Sequence, residues 1–288
     1  ISVSIPQGAA SDGTNPTGGA FRIIEYKWTV TRQSDLTLWY KFDETTGTST
    51  TDSTGGGSGT LMNMDGSDWV PGKFGNALDF DGSDDFIQPT LASHPFGPEV
   101  TIAFWAFGGS SLPKQTSVLG SGNFDTALNI YFPWNNGTIY WDAGPGDGSY
   151  DRINKVASSG NYKGSWQHWA FTKNASTGMM HIFLNGGLWH SGTGKGKVVA
   201  TGGVTNFKIG SDKNGSNNWH GKLDDFRIYD KELIYSEIAA IYGNGSGDLN
   251  ASAINNPPTD TNATAPLTLA NITLKNLRSI APLTIVEN

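Results

Sequence analysis

Acidic side chains gather in four short stretches of the chain. Asp43 and Glu44 stand in "KFDETTG", and Asp52 lies in the Ser/Thr/Gly run that follows. Asp79, Asp81, Asp84 and Asp85 crowd "LDFDGSDD", and Asp224 and Asp225 are adjacent in "GKLDDFRIYD". Carboxylates grouped in turns suit a hard cation: calcium takes six to eight oxygen ligands, drawn from carboxylates, carbonyls and water. "DFDGSDD" matches an EF-hand loop only superficially, because its glycine comes too early and no glutamate closes it. A second reading stays open, in which these carboxylates accept backbone N–H groups in bends and loops. Strand alternation in "LDDFRIY" places Asp224 on the same side as Phe226 and Ile228, where it is expected to anchor a rim loop. Asp225 is expected to face solvent-side ligands.

Aromatic residues form the second group with chemical potential. The chain holds 10 tryptophans, more than one sandwich core needs. Trp134 in "YFPWNNGT", Trp141, Tyr150 and Asp151 in "IYWDAGPGDGSYD", Trp189-His190 and Trp219-His220 all adjoin Gly/Asn-rich turns. Exposed aromatic faces stack on the C–H faces of sugar rings, while Asn, Asp and His bond the hydroxyls. Trp134, Trp141, Tyr150, Asp151, Trp219 and His220 are therefore the candidate ligand surface; the alternative is that they pin long loops.

Catalytic constellations are missing. A glycoside hydrolase needs two carboxylates a few ångströms apart, commonly on one strand face. The glutamates, 25, 44, 99, 232, 237 and 287, have no acidic partner at the spacing of a Glu-x-Asp-x-x-Glu site. No Ser/Cys–His signature or His-x-x-x-His metal motif occurs. No catalytic residue is assigned, and the chain is expected not to be an enzyme.

The elements that must position these groups are strands. "FRIIEYKWTVT", "LTLWYKF", "KFGNALDF", "VTIAFWAF", "LNIYF", "TIYWDA", "WQHWAFT", "MMHIFLN", "FKIGS" and "LDDFRIY" alternate apolar and polar residues between Gly/Asn/Asp turns. Asn185-Gly186 predicts a tight hairpin turn. Thr45–Thr60 reads as loop only. One short helix is expected over Ser236–Tyr242, capped by Ser236 and stopped by Gly243. With 38 glycines, 16% charged residues and no cysteine in 288 residues, the composition is that of a turn-rich all-β chain without disulfides. A net charge of −7 and scattered basic residues argue against nucleic acid as a partner, and no apolar run approaches membrane-spanning length.

Six of these pieces, taken in order, resemble a known family. "LTLWYKFDETTGT", "PGKFGNALDFDGSDDFI", "VTIAFWAF", "WQHWAFTKN…MMHIFLNGGLW", "FKIGSD" and "GKLDDFRIYDKELIYSEIAAIYG" are similar to the LamG-like, concanavalin A-like domains of laminin-G and pentraxin type. The resemblance implies a two-sheet antiparallel β-sandwich, a jelly roll, over residues 35–243. Its first and last strands would be adjacent, and Trp105, Trp166 and Trp169 would lie in its core. Outside it are residues 1–34, an extension with one or two strands, 244–265, a linker, and 266–288, a strand-forming tail.

Adjacent first and last strands would bring carboxylates together at one end, and relatives bind calcium at the sandwich rim. The ligand set expected on that ground is Asp43, Asp52, Asp81, Asp84 and Asp225. The functional expectation is a non-catalytic recognition module, extracellular or on a cell surface, supported by calcium and binding a polysaccharide or other glycan. The alternative is a structural subunit of a fibre, adhesin or phage particle whose terminal strands pair with neighbouring copies.

Overall fold

Two inner faces of alternating apolar residues create the core. On one side, Phe104 of β7 (Glu99–Gly108) lies between Phe171 of β12 (Gln167–Asn174) and Phe226 of β16 (His220–Tyr229). Their rings are stacked at 5.9 Å on each side. Facing them are Leu128 and Ile130 of β9 (Leu128–Tyr131) and Ile139 and Trp141 of β10 (Thr138–Ala143), all fully buried. Trp141 donates its indole N–H across the gap to the Thr172 carbonyl at 3.0 Å, so a core aromatic also ties the sheets together.

The computed structural model describes residues 35–90, 96–122, 126–200, 204 and 206–243. The strands form two eight-stranded antiparallel sheets, the jelly-roll sandwich expected from the sequence. The first runs β14 (Gly187–Gly192), β13 (Met179–Leu184), β12, β7, β16, β5 (Asn76–Asp81), β4 (Trp69–Pro71), with β1 (Leu36–Tyr40) also paired to β16. The second runs β11 (Asp151–Val156), β10, β9, β8 (Ser117–Gly122), β15 (Asn206–Ile209), β6 (Phe86–Pro89), β3 (Gly59–Met62), β2 (Ser49–Thr50). The expected strands within 1–34, the linker at 244–265, and the tail at 266–288 with its pairing to other copies lie outside the described residues.

Local chemistry explains the punctuation. Asn185 and Gly186, at φ 50° and 77°, make the tight turn between β13 and β14 that their types predict. Helix α2 (Tyr235–Gly243) lays Ile238 and Ile241 on the outer face of the first sheet, against Ala103, Ala170, Phe183 and Tyr229. A one-turn helix, α1 (Ser159–Tyr162), joins β11 to β12. The Ser/Thr/Gly run is not loop alone. Ser49–Thr50 pairs with Gly59–Thr60, because Thr50 is buried and Gly59 packs where a Cβ would come within 2.7 Å of Ile87. Trp169 is in the core as expected. Trp105 is buried on the outer face beneath Tyr242, and Trp166 is only half-buried, edge-on to Phe107.

Strand β16 decides how the acidic pair is used. Its first half pairs with β5 (Leu223 opposite Leu78) and its second half with β1 (Phe226 opposite Tyr40), so the first and last sandwich strands are indeed neighbours. Where the partner changes, the pairing with β7 slips between Asp224 and Arg227, and Asp225 takes φ 54°. The extra residue of this bulge reverses the alternation. Leu223, Phe226 and Ile228 point inward, while Asp224 pairs with Trp105 on the outer face, so the expectation that Asp224 shares the side of Phe226 is overturned. Asp224 does anchor a loop. One oxygen accepts the N–H groups of Lys73 and Phe74 at 2.8 and 2.9 Å, and Gly72 has no room for a Cβ, which would lie 2.7 Å from that oxygen.

Asp225 does not face ligands. It is 7% exposed, and one oxygen accepts the Trp39 indole N–H at 2.6 Å and the Arg227 guanidinium at 2.8 Å. Arg227 is itself buried, with its guanidinium 4.4 Å above the Trp39 ring. Two buried charges are thus matched at the point where β16 exchanges partners, an arrangement in which removing either partner would leave a stranded charge.

Burial, reinforced by the charge of Asp225, pushes the Asp224 carboxyl up to about 7, against the pull of its two amide donors. A carboxyl whose folded pKa exceeds its unfolded value stabilises the fold fully below the unfolded value. That stabilisation is lost as pH rises through the folded value. Asp224 is therefore expected to cost the protein stability between about pH 4 and pH 7, by up to about 4 kcal/mol for a shift of about three pH units. Urea denaturation of the wild type and Asp224→Asn across this range checks it: the difference between the two proteins should change steadily with pH. A difference that stays constant refutes the assignment.

Candidate functional site

The strand alternation that sends Ile130, Trp141 and Ile153 into the core sends Asn129, Tyr131, Tyr140, Asp142 and Arg152 to the outer face of the second sheet. There the aromatic rings collect. Trp134, in the turn after β9, is edge-on to Tyr131 at 4.6 Å and to Tyr140 at 6.1 Å. The turn is closed by Trp134 N–H to Thr138 C=O and Gly137 N–H to Trp134 C=O, each 2.8 Å. The Arg152 guanidinium lies 4.8 Å from the centre of the Tyr140 ring and 5.1 Å from that of Tyr150. All five of these side chains are partly exposed.

Asp142 organises this face. It is 1% exposed, and Arg152 clamps both of its oxygens at 2.6 Å. Burial raises the pKa of Asp142 while Arg152 opposes the rise, and the same pair holds Arg152 firmly charged. Asn129, the cross-strand neighbour of Asp142, accepts the Ser117 hydroxyl through Oδ1. Its Nδ2 helps keep Asp142 ionised but has no hydrogen bond of good geometry. Beside it a cavity of about 50 Å³ is lined by Ser121, Asn129, Tyr131 and the turn Asp212–Asn214. Tyr131 belongs to both the cavity and the aromatic row, so the two form one continuous surface.

This surface includes only part of the expected ligand set. Trp134 and Tyr150 belong to it. Trp141 and Trp219 do not, since both are fully buried in the core, and neither has a face to offer. Asp151 turns inward and is held by the buried ammonium of Lys173 at 2.8 Å and by Lys197 N–H at 2.8 Å, a link between the two sheets. His220 lies elsewhere, on β16, hydrogen-bonded to the Ser111 hydroxyl. Tyr131, Tyr140 and Arg152 were missed. Their signal was a tyrosine or arginine at the polar position of an alternating strand, one residue from a core side chain.

The expected calcium ligands are also divided. Asp81 and Asp84 come together with Asp85, their ligand atoms within 4.8 Å of one another. Asp43, Asp52 and Asp225 join no such group among the described residues. Asp52 is 5% exposed and folds its own loop: it accepts Trp39 and Thr54 N–H at 2.9 Å and Gly56 N–H at 3.1 Å. Asp43 accepts Asn76 N–H at 3.3 Å, and Asp225 is taken by Arg227. At Asp52 backbone amides, and at Asp225 an indole N–H and a guanidinium, take up oxygen lone pairs that a cation would use, whereas Asp43 stays exposed.

With this geometry the family can be stated. The chain belongs to the concanavalin A-like lectin/glucanases superfamily, whose sequence profile matches residues 81–239. No curated protein matches the chain. Among solved structures it is similar to the botulinum neurotoxin serotype D binding domain, with 18% identity and a TM-score of 0.57 over 73% of this chain and 52% of that one. The receptor binding domain of the C/D mosaic serotype gives 19% identity and 0.57 over 73% and 51%. The binding domain of botulinum neurotoxin DC, in complex with SialylT, gives 15% and 0.57 over 74% and 52%. At such identities the likeness is one of fold, and the chain spans about half the length of these neighbours. The superfamily includes lectins and glucanases, and the glutamates of this chain do not stand at the Glu-x-Asp-x-x-Glu spacing of a glycoside hydrolase site. Among the described residues, no helix is long and apolar enough to cross a membrane.

The Arg152 clamp makes a direct prediction. Arg152→Ala leaves Asp142 buried without its cation, a loss on the order of 3 kcal/mol when the carboxylate is ionised and less when it is protonated. The drop in Tm should accordingly be larger at pH 8 than at pH 5; equal drops at both would show that Arg152 acts by packing alone.

Proposed function

We propose that the chain is a glycan-binding module and that its outer face at Tyr131, Trp134, Tyr140, Tyr150 and Arg152 is the binding surface. One observation carries this reading: four aromatic rings and a stacked guanidinium stand part-exposed on one sheet face, beside a small polar cavity. Three strands hold Tyr131, Tyr140 and Arg152, and a closed turn holds Trp134, so little ordering is needed there when a sugar lands; aromatic C–H stacking supplies affinity while nearby amides and hydroxyls supply selectivity. The glycan complex of a fold neighbour, and the lectins within the superfamily, support the same class of ligand. An extracellular or cell-surface setting, where such ligands are displayed, goes with this reading.

Glycan-array screening followed by calorimetry on the hits tests the proposal. Trp134→Ala and Tyr140→Ala are each expected to weaken binding about tenfold or more, about 1.4 kcal/mol, with circular dichroism unchanged. Hits that bind both variants as well as the wild type would remove this face from consideration.

The calcium expectation narrows to Asp81, Asp84 and Asp85. Burial first, and then the charges of Asp81, Asp68 and Asp84, push the Asp85 carboxyl up to about 6, and a divalent cation would relieve that repulsion. The turn is already braced by Ser83 N–H on Asp81, by Asp81 N–H on Asp85, and by the Lys114 ammonium on the Gly82 carbonyl at 2.6 Å. An ion would share it with that lysine. Calorimetric titration of the chelator-treated protein with calcium should give one site that Asp84→Asn weakens; no heat, or heat indifferent to Asp84→Asn, removes calcium from this turn.

A further inference from the structure

The charges on the aromatic face come in matched pairs, and this bears on the kind of glycan it accepts. The inference rests on the glycan reading of that face. Arg152 stands in the row itself, but two of its N–H donors hold both oxygens of Asp142 at 2.6 Å, so its charge is already paired. Lys213 lines the cavity next to Asp212, and the two cancel in net charge. Asp212 in turn braces its own turn, accepting Asn214 N–H at 2.9 Å and Ser216 N–H at 3.0 Å. In and beside the row, Arg152 is offset by Asp142 and Lys213 by Asp212, and the next base, Lys208, also feels the charge of Asp212.

The field leans to the acidic side where the cavity meets the rings. The Tyr131 phenol has its pKa raised by burial and then by the charges of Asp142 and Asp212, with Arg152 pulling only partly the other way. Farther out, the net charge of −7 repels anions at low salt. What the surface does offer is uncharged. Ring faces stack on sugar C–H groups, and Asn214 and the Tyr131 hydroxyl exchange hydrogen bonds with sugar hydroxyls or amides.

We infer that this face selects neutral glycans, hexose or N-acetylhexosamine chains, over sialylated or uronic acid-containing ones. A carboxylated sugar would lose hydration on a surface whose guanidinium charge is already paired with Asp142, with no unpaired cation to repay that loss.

The test is calorimetry on the full chain with matched oligosaccharides, a neutral chain and the same chain carrying a terminal sialic acid or uronate, at low and high salt. The neutral member should bind with an affinity that changes less than about twofold with salt. The acidic member should bind at least about tenfold more weakly at low salt and recover part of the difference as salt screens repulsion. Asp212→Asn, which keeps an acceptor oxygen for the turn and removes one negative charge, should narrow the gap. Acidic members that bind more tightly, weaken with salt and still depend on Trp134 overturn this inference and leave the glycan surface standing. Neutral binding that ignores Trp134→Ala overturns the surface itself, and no binding of either member overturns both.

Discussion

The sandwich depends on strand β16 keeping its place among three partners, and that place is fixed by two carboxylates. Asp224 gathers the backbone amides of Lys73 and Phe74 and so ties the loop between β4 and β5 to the middle of the first sheet. Asp225, one residue on, sits in the bulge and neutralises the buried Arg227. The bulge changes the partner of β16 from β5 to β1 and reverses which residues face the core. A plain strand through this region would drive Asp225 and Arg227 inward in place of Phe226 and Ile228.

The same use of oxygen recurs around the sandwich. Asp52 holds two amides of its own loop and one of β1, Glu44 accepts Thr51 N–H at 2.7 Å, and Asp85 accepts Asp81 N–H at 2.8 Å. Buried backbone donors in irregular segments must find acceptors, and a chain with few helices and many turns has many such donors. Short aspartate side chains supply those acceptors within a residue or two of the bend. This accounts for the abundance of acid near turns without requiring a cation at each one. The aromatic face follows a parallel logic: Asp142 is there to fix Arg152, and Arg152 then spaces Tyr140 from Tyr150.

The alternation of "VTIAFWAF", "TIYWDA" and "WQHWAFT", together with the Asn185-Gly186 turn, made the antiparallel sandwich legible. A period of two with apolar residues on one face has few other solutions, and the order of the pieces matched a known jelly roll. Trp134 and Tyr150 were legible as surface aromatics because turns flank them. Trp141 and Trp219 misled for the same reason: adjacency to a turn says nothing about which face of the strand a residue takes, and both rings fill the core. Asp151 misled because its partner, Lys173, is supplied by the other sheet and is 22 residues away.

By itself, then, the chain's sequence determined the fold class, the neighbouring of first and last sandwich strands, and the presence of more aromatics and carboxylates than a core requires. The strands and the surplus of rings and acids follow from local periodicity and composition, while the neighbouring of first and last strands was implied by the resemblance of the ordered segments to a known family. Only the tertiary structure decided which of them share a surface. A single extra residue at Asp225 inverted the facing of its strand, and cross-strand registry joined Tyr131, Tyr140 and Arg152 from three strands into one row. Registry and bulges arise from pairing between distant segments, so no window of sequence contains them.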